Sequence, residues 1–149
     1  MLESGYHWRT GTEFHSVIPP WATTTKDPLY DNYAHGEPGR VRMPIKSVDE
    51  IVEMLMEPII SDIPYKPGDE LLMFVNGMGG TPLIELYIIY RKAHEIASKH
   101  GLKVVRNLVG PYITSLEMAG TSITLLKLDD DMKKLWDAPV KTPALRWGV

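Results

Sequence analysis

Few residues in this 149-residue chain have the types and spacing that chemistry needs. His35 is foremost. It stands in "YAHGEPGRVRMP", residues 33–44, directly before Gly36, Glu37, Pro38 and Gly39. Glycines beside a histidine leave little side-chain bulk around the ring. That suits a group that must meet a small molecule, and it equally suits an exposed turn. Imidazole has an ordinary pKa of about 6.5, so much of it is neutral at cellular pH and can serve as base, ligand or nucleophile. The other histidines are His7, His15, His94 and His100, and no HxH or HExxH pair occurs. His94 and His100 are six apart on one expected helix and so point to different faces. No metal site is expected, and the absence of cysteine excludes disulfides and thiolate ligation.

Three other patterns are weaker. "VNGMGGTP" could bind an anion through backbone N–H groups at a strand-to-helix turn. It is not a GxxxxGK[ST] loop, because no lysine follows the last glycine. Gly77, Gly79 and Gly80 also miss the GxGxxG spacing. A tight, flexible turn is the plainer reading. "KLDDDM" groups Asp129, Asp130 and Asp131, which could hold magnesium or could simply favour the positive end of a helix. The helix start is preferred. "SLEMAGTS" offers Ser115, Glu117, Thr121 and Ser122, but no histidine lies nearby in sequence to support a hydrolase triad.

The elements that must position these groups are legible from residue 47 onward. Ser47 with Glu50 has the pattern of a capping box before a helix. Val48, Ile51, Val52, Leu55 and Ile59 recur at helical spacing, and Pro58 should end or kink that helix near Glu57. Leu71–Val75 reads as a buried strand. Thr81 is placed to cap a helix over 82–100, with Pro82 at its first position and Gly101 as its stop. Leu83, Leu86, Tyr87, Tyr90, Ala93 and Ala97 mark its expected face, and Leu83, Leu86, Tyr90 and Ala93 are expected to be buried. "LKVVRNLVG" is a second strand, so strand, helix and strand form a βαβ unit. Ser122–Lys127 is a third strand, "DDMKKLWDAP" a short helix and "VKTPALRWGV" an extended tail. Residues 1–33 form an irregular or partly extended lead-in, with Pro19, Pro20 and Pro28 within ten residues and no clear period. The expected fold class is α/β, a mixed sheet with flanking helices.

Composition narrows the function classes. Hydrophobic residues make up 44%, enough for a core, and the length fits one domain. A net charge of -3 with no basic stripe gives no electrostatic case for nucleic acid. No run approaches eighteen apolar residues, and "MLESGYHWRTGTEFH" lacks the apolar centre of a signal peptide. A cytoplasmic location is the expectation.

Four blocks then carry a resemblance. "HGEPG", "ELLMFVNGMGGTPLIELYIIYRKA", "RNLVGPYITSLEMAGTSITLLKLDDD" and "LWDAPVKTPALRWG" resemble successive blocks of the dihydroxyacetone kinase family, in its substrate-binding, K-type subunit. The likeness runs in order from about Ala34 to Gly148. It implies that residues 34–149 are the C-terminal portion of that subunit and resemble its second domain. It also implies that His35 is the residue whose ring nitrogen adds to the ketone of dihydroxyacetone as a hemiaminal. Such a bond would fix the substrate's orientation and exclude glycerol, which has no carbonyl. The flanking glycines would leave room for a three-carbon ligand.

The resemblance implies partners too. The family's nucleotide, ATP or a tightly held ADP with magnesium, sits on a separate L-type subunit or domain, and a phosphotransferase-system subunit recharges the ADP in some systems. No cofactor is therefore expected on this chain, which should form homodimers and be inactive alone. Two departures stand out. Only 34 residues precede His35, where family members carry a whole first domain bearing the other substrate contacts. Asp31 and Asn32 also stand where the family has apolar residues, so the origin of residues 1–33 is left open. The competing expectation is a non-catalytic paralogue, a coactivator or ligand sensor, or a remnant fragment.

Overall fold

The computed structural model describes residues 2–3, 7–10, 13–18, 42–43, 46–114 and 120–149. The elements in chain order are β1 (Leu2–Glu3), β2 (His7–Thr10), β3 (Glu13–Ile18), β4 (Arg42–Met43), α1 (Val48–Asp62), β5 (Glu70–Gly77) and α2 (Leu83–Lys99). β6 (Lys103–Gly110), β7 (Thr121–Lys127), α3 (Asp130–Asp137), β8 (Val140–Lys141) and β9 (Arg146–Trp147) follow. The main sheet has the order β2-β3-β7-β5-β6. β5 and β6 are parallel, and the other neighbours are antiparallel. This is the mixed α/β sheet that the sequence pattern implies.

β5 lies between β6 and β7 and is the apolar centre of the molecule. Leu71, Met73 and Val75 share one face of it by the two-residue period of a strand, and all are fully buried. Val52, Leu55, Met56 and Ile59 of α1, and Leu86, Ile89, Ala93 and Ala97 of α2, complete this core with Ile123 and Leu125 of β7. Asn76 and Leu72, on the other face of β5, are also nearly solvent-free.

α1 begins as its sequence implies. The Glu50 amide donates to the Ser47 hydroxyl at 3.4 Å, and the Ser47 amide donates to the Glu50 carboxylate at 3.0 Å, closing the capping box. The expected stop near Glu57 does not occur, and the helix runs through Pro58 to Asp62. Pro58 has no N–H for the preceding turn. The turn continues because it brings Ile59 fully into the core, and the Ser61 hydroxyl donates to the Pro58 carbonyl at 3.2 Å.

α2 departs from expectation in two ways. Its N-cap is Pro82, with no side-chain cap; Thr81 points elsewhere. Its buried face is Leu86, Ile89, Lys92, Ala93 and Ala97, with Tyr90 partly buried, whereas Leu83 and Tyr87 are half exposed. The helix is therefore rotated relative to the face read from sequence. Its end matches the sequence: Gly101, at φ +75°, follows the last turn, its amide donating to the Ser98 carbonyl and that of Leu102 to Ala97. These two bonds form a Schellman stop, sealed by burial of Leu102 and Ala97.

The chain ends also carry more structure than their sequence suggests. Within the lead-in, β2 and β3 form a hairpin, and β3 pairs with β7 from Glu13↔Leu126 to Ile18↔Thr121. Six residues give three positions per face, too few for a period to stand out. The tail, expected as extended, turns back on itself as the β8–β9 hairpin. The Trp147 indole donates to the Ala138 carbonyl at 2.7 Å, and its ring lies 5.3 Å from Trp136.

Candidate functional site

β5 and β6 run parallel and finish side by side, Asn76 opposite Gly110. The 78–82 turn, the start of α2, residues 111–114 and the start of β7 converge at that end. In open α/β sheets, ligands bind outside the carboxyl ends of the strands, where the connections part.

Asn76 organises this end. It is 1% exposed. Its Oδ1 accepts from the amides of Tyr112 at 3.0 Å and Ile113 at 2.8 Å, while its Nδ2 donates to the Ile113 carbonyl at 2.7 Å. Its own carbonyl accepts from the Thr121 hydroxyl at 3.0 Å. The Thr81 hydroxyl and the Met78 amide both donate to the Gly120 carbonyl, at 2.8 and 3.0 Å. Both feet of the connection between β6 and β7 are thus tied to the end of β5 by buried polar groups. "NGMGG" is a fastened turn, not the flexible one expected. Gly77 packs closely there: an added Cβ would lie 2.9 Å from Leu86 Cδ1, so the end of the Leu86 side chain would have to shift.

The turn lacks the marks of a GxxxxGK[ST] loop. The Met78 amide is committed to Gly120, Pro82 has no N–H, and no lysine follows the glycines. The acidic trio is likewise a helix start. Asp129 caps α3, accepting from the Met132 amide at 2.7 Å. Asp130 pairs with Lys133 at 2.8 Å and Asp131 with Lys134 at 3.0 Å. Among the described residues, no group of three acids or histidines could hold a metal ion. His94 lies on α2 beside Tyr90, ring centroids 5.8 Å apart, and His100 lies at its C-terminal cap. Thr121 and Ser122 are buried at the start of β7. His35, Glu37, Ser115 and Glu117 lie outside the described residues.

Elsewhere on the described residues the charges are mostly paired. Arg106 holds Asp137 through two hydrogen bonds, 2.7 and 2.6 Å, which lowers the Asp137 pKa. Lys133 bridges Asp130 and Glu70, and these bonds raise its pKa. Lys92 donates to Glu53 at 2.6 Å, which holds the ammonium in its charged form. Burial pushes the Tyr90 hydroxyl up, against a smaller opposing effect of its hydrogen bond with Asn107. The described part of the site is a polar frame held by the hydrogen bonds of Asn76, Thr81 and Thr121. Asn76 was missed by sequence reasoning, and its signal was a lone amide at the end of an otherwise apolar strand run.

The family model described as the Dak1 domain matches residues 34–144. The dihydroxyacetone-binding subunit DhaK of the PEP-dependent dihydroxyacetone kinase of Escherichia coli (strain K12) is 40% identical over 138 residues, covering 76% of this chain and 39% of the relative. A PTS-dependent dihydroxyacetone kinase 1 DhaK subunit from Listeria innocua serovar 6a is 46% identical, covering 74% of this chain and 34% of the relative. The chain thus spans under two-fifths of these relatives' length. A solved structure concerning regulation of the dha operon of Lactococcus lactis superimposes with a TM-score of 0.66 at 30% identity, covering 70% of this chain and 34% of that one. A dihydroxyacetone kinase operon co-activator, Dha-DhaQ, gives a TM-score of 0.66 at 22% identity over 93% of this chain and 42% of that one, a likeness of fold. The family segment begins one residue before His35 and ends beyond the frame fastened by Asn76, and on that extent the chain belongs to the Dak1 domain family.

Proposed function

We propose that this chain is the C-terminal portion of a dihydroxyacetone-binding kinase subunit and captures dihydroxyacetone covalently through His35. The observation that carries the reading is the position of "HGEPG" at the start of the matched family segment, within a chain 40% identical to a dihydroxyacetone-binding subunit. The chemistry follows from imidazole. The lone pair of a neutral ring nitrogen adds to the ketone carbon, the C=O π bond opens, and the oxygen takes up a proton as the ring N–H proton is released. The product is a hemiaminal, with no water lost. The bond fixes the substrate's orientation for a later phosphoryl transfer. Glycerol, having no carbonyl, is excluded.

Phosphoryl transfer requires donor and acceptor held in line. The sequence has no GxxxxGK[ST] loop, and in this reading ATP, or ADP with magnesium, belongs on an L-type partner subunit or domain. A phosphotransferase-system subunit is the donor if the nucleotide is a held ADP. The chain alone should then bind substrate without turning it over.

Intact-mass measurement with dihydroxyacetone tests this. The expected result is a gain of one whole ketone, mapped to the His35 peptide and absent with glycerol or in His35→Asn. Equal capture by His35→Asn overturns the assignment. A second reading, a non-catalytic ligand sensor or coactivator, draws support from the 30% identical structure connected with operon regulation. It predicts ligand capture without kinase activity even when a nucleotide-bearing partner and the rest of a family subunit are supplied.

A further inference from the structure

α1 and α2 lie side by side and run in the same direction. Asp49 pairs with Arg91 and Glu53 with Lys92 in the earlier part of the contact, and Ser61 and His100 flank its end. Past the Glu53–Lys92 pair the helices part around an open cleft of about 410 Å³. Glu53, Glu57, Ile60 and Ser61 line it from α1, with Ile96 and His100 opposite. Ile60 and Ile96 pack against the core and give the cleft an apolar floor. Its volume lies in the range of small-molecule sites, about 300–1,000 Å³.

The charge around this cleft is not balanced. Parallel helices bring like ends together, and each C-terminus carries roughly half a negative charge. α2 offsets its own end: Lys99 stands in the last turn, and the His100 amide donates to carbonyls there. α1 has no basic residue in its last turn. Of the two carboxylates, Glu53 is matched by Lys92 at 2.6 Å. Glu57, one turn on, has no ion-pair partner among the described residues, because Arg91 and Lys99 are engaged by Asp49 and Glu95. Negative charge is therefore in excess beside an apolar floor.

We propose that this cleft binds a small aliphatic ammonium compound, with its chain on Ile60 and Ile96 and its ammonium at Glu57 beside the end of α1. An ammonium brings three N–H donors and no acceptor. The Glu57 carboxylate accepts, and so can the Ser61 oxygen, whose own O–H donates to the Pro58 carbonyl at 3.2 Å. An exposed carboxylate alone holds a cation weakly, so the apolar floor must contribute and the ligand needs a hydrocarbon chain. A free small molecule suits the cleft better than a protein surface, since a specific protein contact buries about 800 Å² on each side.

The inference does not rest on covalent capture by His35, since it is tested with no ketone present. The probe is n-hexylammonium, titrated into the full 149-residue chain and read by NMR at the methyl groups of Ile60 and Ile96. The shifts should saturate, with a Kd at least tenfold tighter than for methylammonium, 1-hexanol or hexanoate. Glu57→Gln should weaken hexylammonium at least tenfold and leave the melting temperature unchanged. Glu85→Gln, which removes the same charge from the first turn of α2, should change nothing. The ranking of probes on the parent stands whatever the stability of a variant. Shifts that do not saturate, hexanol or hexanoate binding as tightly as hexylammonium, or equal affinity in Glu57→Gln would each overturn the proposal. Tighter binding of N-acetyl-lysine methylamide than of hexylammonium would assign the cleft to a protein's lysine side chain and overturn it as well.

Discussion

Asn76 and Ile113 exchange two hydrogen bonds, the Ile113 amide donating to Oδ1 at 2.8 Å and Nδ2 donating to the Ile113 carbonyl at 2.7 Å. A side chain here imitates the pairing of a neighbouring strand, just where β6 has ended. Asn76→Ala removes both bonds together with the Tyr112 contact, taking this partner from the Ile113 amide and carbonyl while the Tyr112 amide keeps the Gly110 carbonyl at 3.1 Å. The expected cost is about 1–3 kcal/mol. Hydrogen exchange should locate it, with the Tyr112 and Ile113 amides losing protection before those of the β5 centre. Unchanged protection there would mean that the loop holds itself.

The rotation of α2 is tested by a pair of truncations. Leu86→Ala should cost about 2–5 kcal/mol, because the side chain is fully buried among both helices and the sheet. Leu83→Ala, one turn earlier and half exposed, should stay within about 0.5 kcal/mol. Chemical denaturation midpoints distinguish the two, and equal costs would restore the face read from sequence.

Asp69 predicts the acid limb of the stability curve. Its carboxylate accepts from the Lys127 ammonium at 2.7 Å and from the Lys66 amide at 2.8 Å, and these bonds hold its pKa below the ordinary value of 3.8. A carboxyl depressed on folding stabilises fully above its unfolded pKa. That contribution fades as pH falls through the unfolded value and is gone below the folded one. Asp69→Asn should therefore lower stability at neutral pH and flatten its loss below about pH 4. Melting temperatures of parent and variant from neutral to acid pH check this, and parallel curves would refute it.

Capture of dihydroxyacetone should fade in acid too, but through its own group and at a higher pH. Protonation removes the imidazole lone pair, so adduct yield should fall as pH drops through about 6.5. Yield titrated by mass against pH gives the curve. A flat profile over that range would point to a nucleophile other than His35.

The sequence made the β5–α2–β6 unit legible because its punctuation is local. Gly101 closes α2 two residues before β6 starts, and the Ser47–Glu50 box opens α1 within one turn. The phase of α2 was not legible. Leu83, Ile84, Tyr87 and Ile88 add apolar residues on the solvent side, and periodicity cannot tell a core face from a second apolar face. Thr81 has the look of a helix cap, yet its hydroxyl serves Gly120, thirty-nine positions away. Pro58 reads as a stop because its local cost is visible and the burial of Ile59 is not. His35 was singled out by its glycine neighbours, and its assigned chemistry came from resemblance alone.

The strand order β2-β3-β7-β5-β6 also orders events in time. β5 and β6 are joined through a single helix, so their pairing can begin as soon as residue 110 is available. β7 must then close on β5 from the other side, and β3, at residues 13–18, pairs with a strand more than a hundred positions downstream. Contacts that distant carry the loop-closure cost that slows folding. During synthesis the hairpin of β2 and β3 emerges ahead of β5, β6 and β7 and has no complete β7 to pair with until residue 127 has been made. The sheet's earliest strands in sequence are therefore among the last to be placed, and refolding should show the β5–α2–β6 core gaining protection before any amide of β3.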